Sequence, residues 1–217
     1  MSVQPSLVDT LLERMKVLRV IPVLRLSSQE SASRAIDLLI AAGYGTVEVT
    51  LTTPGAVELI ASLRRRVPEH FLVGAGTVLD AEAAQRCINA GADYLVAPCM
   101  VVGLVAQAHG AARAALLGAF TPGEVLAAWR EGAQAVKLFP AATGGPAHLA
   151  AIHAVYPDVP LCPTGGVSLG NIADYFAAGA AFVGVGNNII DQTALNAGDD
   201  EQVVRHARQF LDLAPTL

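Results

Sequence analysis

Four times in this chain an alanine-rich, helix-like stretch ends at a glycine and an apolar run begins within a few residues: AAGYGTVEVTL, NAGADYLVAP, REGAQAVKLFP and AAGAAFVGVGN. The glycines Gly43, Gly91, Gly132 and Gly179 lie 48, 41 and 47 residues apart, about two βα units each. A glycine closing a helix, with a strand entered directly after it, marks α/β alternation. Further apolar runs fall between these four, FLVGAGTV and ARAALLGAF, and to the sides RVIPVLRL and PLCPTGG. The pattern predicts eight strands, at residues 20–26, 45–51, 71–78, 94–98, 114–120, 135–140, 161–166 and 182–187. Helices are expected over 28–42, 54–66, 80–90, 101–110, 121–131, 145–156, 168–178 and 200–213, with Thr53-Pro54, Asp80 and Thr121-Pro122 as start signals. Eight such units predict an α/β fold of the TIM barrel type, a (β/α)8 barrel with a short extra N-terminal helix, as a single domain over residues 1–217. The competing architecture is an open doubly wound sheet. Its nucleotide-binding form is disfavoured by VGAGTVLD, where Leu79 stands in place of the third glycine of GxGxxG.

A buried strand is where a charged side chain demands an explanation. The run GAQAVKLFPAATGG carries Lys137 between apolar neighbours, and Lys137 and Lys16 are the only lysines among fourteen lysines and arginines. A buried ammonium is costly unless it is paired or titrates, so the position asks for a partner or a reaction. In GTVEVTLT the polar Thr46, Glu48, Thr50 and Thr52 alternate with Val47, Val49 and Leu51. The apolar set must meet the surrounding helices, which sends Glu48 into the barrel. The same alternation turns Val136 and Leu138 outward and Ala135, Lys137 and Phe139 inward. Strands two and six therefore deliver a carboxylate and an amine to one interior. Two roles are open: an ion pair that fixes the core, or a nucleophilic amine beside a general base. Burial disfavours the charged form of an amine, and a neutral amine attacks a carbonyl to give a Schiff base. A carboxylate within reach can move the protons that imine chemistry requires.

The rest of the composition narrows the class. A net charge of −5 argues against nucleic acid or an anionic membrane as partner, and Arg64-Arg65-Arg66 closes a predicted helix, where cations suit the dipole. Three cysteines without CxxC spacing fit a reduced, cytoplasmic compartment, and no segment approaches eighteen uninterrupted apolar residues. His70, His109, His148, His153 and His206 have no ligand spacing, so no metal and no other cofactor is expected. Strands seven and eight end in CPTGGVSLGN and GVGNNIID, two glycine-bearing loops that lie side by side in a barrel. Backbone N–H groups of Gly165, Gly166, Gly186 and Asn187 can point at one anion there, the phosphate position common in such barrels.

VEVTL, VGAGTVLD, VKLFPA and PTGGV, in this order and spacing, resemble the 2-keto-3-deoxy-6-phosphogluconate (KDPG) aldolase family, which includes the 4-hydroxy-2-oxoglutarate (KHG) aldolases. The resemblance spans Ile21 to Asn188. It implies a metal-independent class I aldolase, a homotrimer, that cleaves KDPG to pyruvate and glyceraldehyde 3-phosphate in the Entner-Doudoroff pathway. It further implies Lys137 as the Schiff-base lysine and Glu48 as the acid/base. Thr77 would meet the pyruvate carboxylate, Pro98, Phe139 and Thr164 would line the substrate, and the glycine loops would hold phosphate. Many members carry an arginine shortly after the glutamate, where this chain has Thr52, and they carry Ser-Pro and Pro-Gly where it has Ala97-Pro98 and Leu117-Gly118. Strand one ends in IPVLRL beside Thr52, so Arg25 is expected to supply the missing cation, the alternative being an outward Arg25 paired with a helix carboxylate. KHG aldolase and 2-keto-3-deoxy-6-phosphogalactonate aldolase are the near alternatives. A phosphosugar isomerase or epimerase, or a phosphate-binding barrel without turnover, are the distant ones.

Overall fold

The computed structural model describes residues 6–215; the expected single-domain span, 1–217, reaches past them at both ends. The first half of the chain forms α1 (Leu7–Leu18), β1 (Val20–Leu24), α2 (Gln29–Ala41), β2 (Thr46–Thr50), α3 (Ala56–Arg66), β3 (Leu72–Gly76), α4 (Ala81–Asn89), β4 (Tyr94–Val96) and α5 (Leu104–Gly110). The second half forms β5 (Ala114–Ala119), α6 (Pro122–Arg130), β6 (Ala135–Leu138), α7 (Ala141–Val155), β7 (Leu161–Pro163), α8 (Ile172–Ala177), β8 (Val183–Val185), a 3-10 turn (Asn187–Ile189), α9 (Gln192–Ala197) and α10 (Asp200–Asp212). The eight strands make one parallel sheet in the order β7-β6-β5-β4-β3-β2-β1-β8, with each neighbouring pair in register, as in Glu48↔Gly74 and Gly118↔Lys137. This is a (β/α)8 TIM barrel, and the open doubly wound alternative is excluded. No helix among the described residues is long and apolar enough to cross a membrane.

Strand alternation divides the apolar residues into two cores. Outward Val47, Val49, Val73, Leu95, Leu117, Val136, Leu138, Val183 and Val185 pack with the helices. Inward Ile21, Leu72, Tyr94, Val96, Leu116, Ala135, Cys162 and Phe182 fill the lower barrel. The N-terminal helix α1 closes that lower end with Leu11 and Met15, which pack on the inward set. Full burial of a side chain such as Met15 contributes about 1.5–3 kcal/mol, so α1 is a structural plug rather than an appendage. Its entry is fixed by a capping box in which Ser6 and Asp9 satisfy each other's exposed N–H groups.

The ring is not laddered all the way round. Between β7 and β8 there is a single bridge, Thr164↔Gly184, and below it the Ala181 N–H donates to the Leu161 carbonyl at 2.9 Å. The reason lies in Pro163. The Thr164 N–H donates to Leu138 of β6 at 3.0 Å, so alternation turns the nitrogen of residue 163 toward β8, and proline has no hydrogen to give there.

Three details depart from expectation. Thr53-Pro54 does not start α3, which begins at Ala56 after a left-handed Gly55; the Thr53 hydroxyl instead accepts from the Leu26 N–H at 3.3 Å. The helix after β6 begins at Ala141 rather than near 145, with a break at Gly145 (φ 65°, ψ −172°). The short α9 was not expected, although Asp191 caps it and a left-handed Gly198 ends it; six residues are too few for a helical period to show.

Candidate active site

The upper barrel is where the inward residues stop being apolar. Glu48 from the middle of β2 and Lys137 from β6 are 4% and 5% exposed, and Lys137 Nζ stands 3.6 Å from Glu48 Oε1. That is an ion-pair distance but too long for a good hydrogen bond, and Glu48 Oε1 is buried without any hydrogen-bond partner. Burial holds the Glu48 carboxyl above the usual carboxylate range, while Lys137 and the more distant Arg25 pull it back. Space for the carboxylate comes from β3, since a Cβ on Gly76 would collide with Glu48 Oε1. Below them, Tyr94 donates to the Thr46 hydroxyl at 3.0 Å, and Thr46 donates in turn to the Leu72 carbonyl. Burial raises the Tyr94 phenol well above its ordinary value, so it forms a neutral floor under the pair.

Above the pair opens a cavity of about 490 Å³. Lys137 lines it, together with Arg25, Thr77, Pro98, Phe139, Thr164, Gly165, Gly166, Gly186 and Asn187. Every site residue expected from the sequence thus lines this cavity except Glu48, which reaches it only through its 3.6 Å approach to Lys137. The Phe139 ring centroid is 5.5 Å from Lys137 Nζ, within cation–π range. Arg25 shares the inward parity of Val23 and turns to the cavity, and it forms no ion pair with a carboxylate among the described residues, contrary to the outward alternative. Thr52 is exposed and donates to the Thr50 hydroxyl at 2.9 Å, outside the cavity wall. Thr77 at the top of β3 has φ 60°, a left-handed conformation that costs a β-branched residue on the order of 1–3 kcal/mol. The Val78 N–H anchors it to the Val96 carbonyl at 3.1 Å, so the strain is held in place at the cavity edge.

Sequence reasoning missed Val23, Thr50 and Asn188 on the same wall. Val23 and Thr50 lie two residues from Arg25 and Glu48 on their strands, so parity alone could have found them. Asn188 lies in the irregular segment after β8, where no period gives a direction. The strain at Thr77 had no sequence signal either.

The chain matches the family described as KDPG and KHG aldolase over residues 11–206. It is 35% identical over 195 residues to the 2-dehydro-3-deoxy-phosphogluconate aldolase of Pseudomonas aeruginosa, covering 89% of this chain and 88% of that protein. It is 34% identical over 194 residues to the KHG/KDPG aldolase of Escherichia coli K12, covering 89% and 91%. Among solved structures, the KDPG aldolase of Legionella pneumophila, with pyruvate captured at low pH as a covalent carbinolamine intermediate, superposes with a TM-score of 0.82. That match has 29% identity and covers 91% of this chain and 96% of the other.

Proposed function

The chain belongs to the KDPG and KHG aldolase family, and from that premise we propose that it cleaves KDPG to pyruvate and glyceraldehyde 3-phosphate through a Schiff base on Lys137. The observation that carries this is a nearly buried amine that faces a cavity, beside a carboxylate with an unsatisfied oxygen. The Lys137 amine attacks the C2 ketone, and loss of water gives the imine. Glu48, directly or through a water, takes the proton of the C4 hydroxyl. The C3–C4 bond then breaks, its electron pair moves into the imine as an enamine, and the aldehyde leaves. Protonation at C3 and hydrolysis release pyruvate and restore the amine. A carboxyl that burial holds above its ordinary range suits this shuttle, since its protonated form is easier to reach than that of an exposed glutamate.

The remaining wall divides the substrate by charge. Arg25 and Thr77 receive the carboxylate at the β1–β3 side, the Phe139 ring and Pro98 enclose the carbon chain, and the glycine loops take the phosphate. The imine itself serves as the electron sink, so the proposed route needs no metal. The enzyme acts as a homotrimer in the cytoplasm, which its three free cysteines support as to compartment. The test is turnover of KDPG, its C4 epimer and KHG in the presence of EDTA, with mass by light scattering. KDPG should be cleaved with the highest kcat/KM, unaffected by chelation, by a species of three chains. Loss of activity on chelation would remove the metal-free route, and preference for KHG would move the substrate assignment to the shorter, unphosphorylated acid.

A further inference from the structure

The seam between β7 and β8 lies directly beneath the two glycine loops. Parallel strands ordinarily fix the spacing of the loops they carry through their ladder. Here the ladder is one bridge, because Pro163 withholds its donor, and Gly184 is needed even for that bridge: a Cβ there would collide with the Thr164 hydroxyl. Something else must set the gap between Gly165-Gly166 and Gly186-Asn187.

Asn188 spans it. Its Nδ2 donates to the Val167 carbonyl of the β7 loop at 2.9 Å. Its own carbonyl accepts from His206 Nε2, on α10, at 2.8 Å, which fixes that nitrogen as the protonated one. The His206 ring is itself set edge-on against Phe210, whose side chain is buried, with centroids 5.7 Å apart. On the far side Asn171 holds the β7 loop from behind, donating to the Gly166 carbonyl at 3.0 Å and accepting from the Ser168 N–H at 2.8 Å. The two loops are thus joined at one point by a side chain whose backbone is held from outside the barrel. We propose that Asn188, backed by His206, is a positioning residue that closes the β7–β8 seam and sets the width of the phosphate cradle. This rests on the phosphate assignment made above, and it adds two residues that do not need to touch the substrate.

The experiment measures kcat/KM for condensation of pyruvate with glyceraldehyde 3-phosphate and with glyceraldehyde, and takes the ratio. Asn188→Ser shortens the strap, His206→Ala removes its backing, and His206→Gln retains an amide donor. Gly166→Asp is the control for the phosphate site itself. Thermal melts confirm that each variant is folded. Loss of one hydrogen bond of this kind should lower the ratio about five- to tenfold in Asn188→Ser and less in His206→Ala. The change should sit in KM for the phosphorylated aldehyde with KM for pyruvate unmoved, and His206→Gln should recover most of it. If Gly166→Asp collapses the ratio while Asn188→Ser leaves it intact, the strap is overturned and the phosphate site stands. If Asn188→Ser lowers the ratio but His206→Ala does not, Asn188 is a direct phosphate ligand and the positioning role is overturned. A ratio unchanged by Gly166→Asp would remove the phosphate site and the strap with it.

Discussion

Two charge sites in this barrel, one partly buried and one deeply buried, are built in opposite ways. Near the N-terminal ends of the strands, Asp93 accepts from Arg64 at 2.9 Å, from Arg113 at 3.5 Å and from the Val73 N–H at 2.8 Å. Arg64 also donates to the carbonyls of Val67, Pro68 and Phe71. That carboxylate is saturated and ties α3 to the starts of β3 and β4. In the upper barrel, Glu48 and Lys137 are more deeply buried, stand 3.6 Å apart, and leave Glu48 Oε1 without a donor. At the lower site the carboxylate has its hydrogen bonds filled, although Arg113 Nε beside it has no partner; in the upper pair it is the carboxylate that keeps capacity in reserve, which is costly for stability and useful for proton transfer.

Exchanging carboxylate for amide at the two sites should break that contrast most sharply. Glu48→Gln is expected to lower kcat about 10²–10⁴-fold, and the acid limb of the kcat profile should vanish with it. In the wild type that limb lies above the ordinary glutamate value, because burial keeps Glu48 protonated to higher pH and the base form is lost sooner as pH falls. A loss under tenfold would show that another group or a water carries the proton.

Next in size is the cation at the cavity edge. Arg25→Gln should raise KM for pyruvate in the condensation direction by about 1.5–3 kcal/mol, the value of a charged hydrogen bond, and Thr52→Arg should restore part of it. A KM within twofold of wild type would leave the carboxylate to Thr77 and the backbone. At the saturated site, Asp93→Asn should reduce stability by about 1–3 kcal/mol in denaturant melts, since the cluster is only partly screened. Its kcat per folded molecule should stay within twofold; a large kcat loss would mean that the lower site is coupled to the chemistry.

The smallest effect tests how dry the barrel is beside the lysine. Cys162 lies level with Lys137 on β7, and burial pushes its thiol up to about 12, as it pushes Cys87 up to about 11. Iodoacetamide at pH 8 should therefore modify exposed Cys99 alone, and Cys162 alkylation in the native enzyme would show that water reaches the floor.

Much of this site was legible because barrel strands obey a period of two. Alternation in TVEVT and AVKL places Glu48 and Lys137 in one interior before any coordinates exist. Arg25 is expected there only because strand one neighbours strand two, with an outward Arg25 left open, and it is the structure that turns it to the cavity. What alternation cannot give is separation: nothing in the sequence says that the pair stands too far apart to hydrogen-bond, or that Gly76 clears the room for it. Segments without a period gave less. Thr77 enters the left-handed region by tertiary constraint, Asn188 is directed by a partner on another loop, and the role of Pro163 depends on which neighbour its nitrogen faces.

The central claim is that Lys137 is the reacting amine, and the chain supplies its own control in Lys16, which is paired with Glu13 at 2.7 Å on α1. Borohydride reduction in the presence of pyruvate, followed by peptide mass spectrometry, distinguishes them directly. A stable adduct on the Lys137 peptide, with the Lys16 peptide unmodified and activity lost in proportion, is the predicted result. An unmodified Lys137 peptide after full treatment would contradict the Schiff-base mechanism.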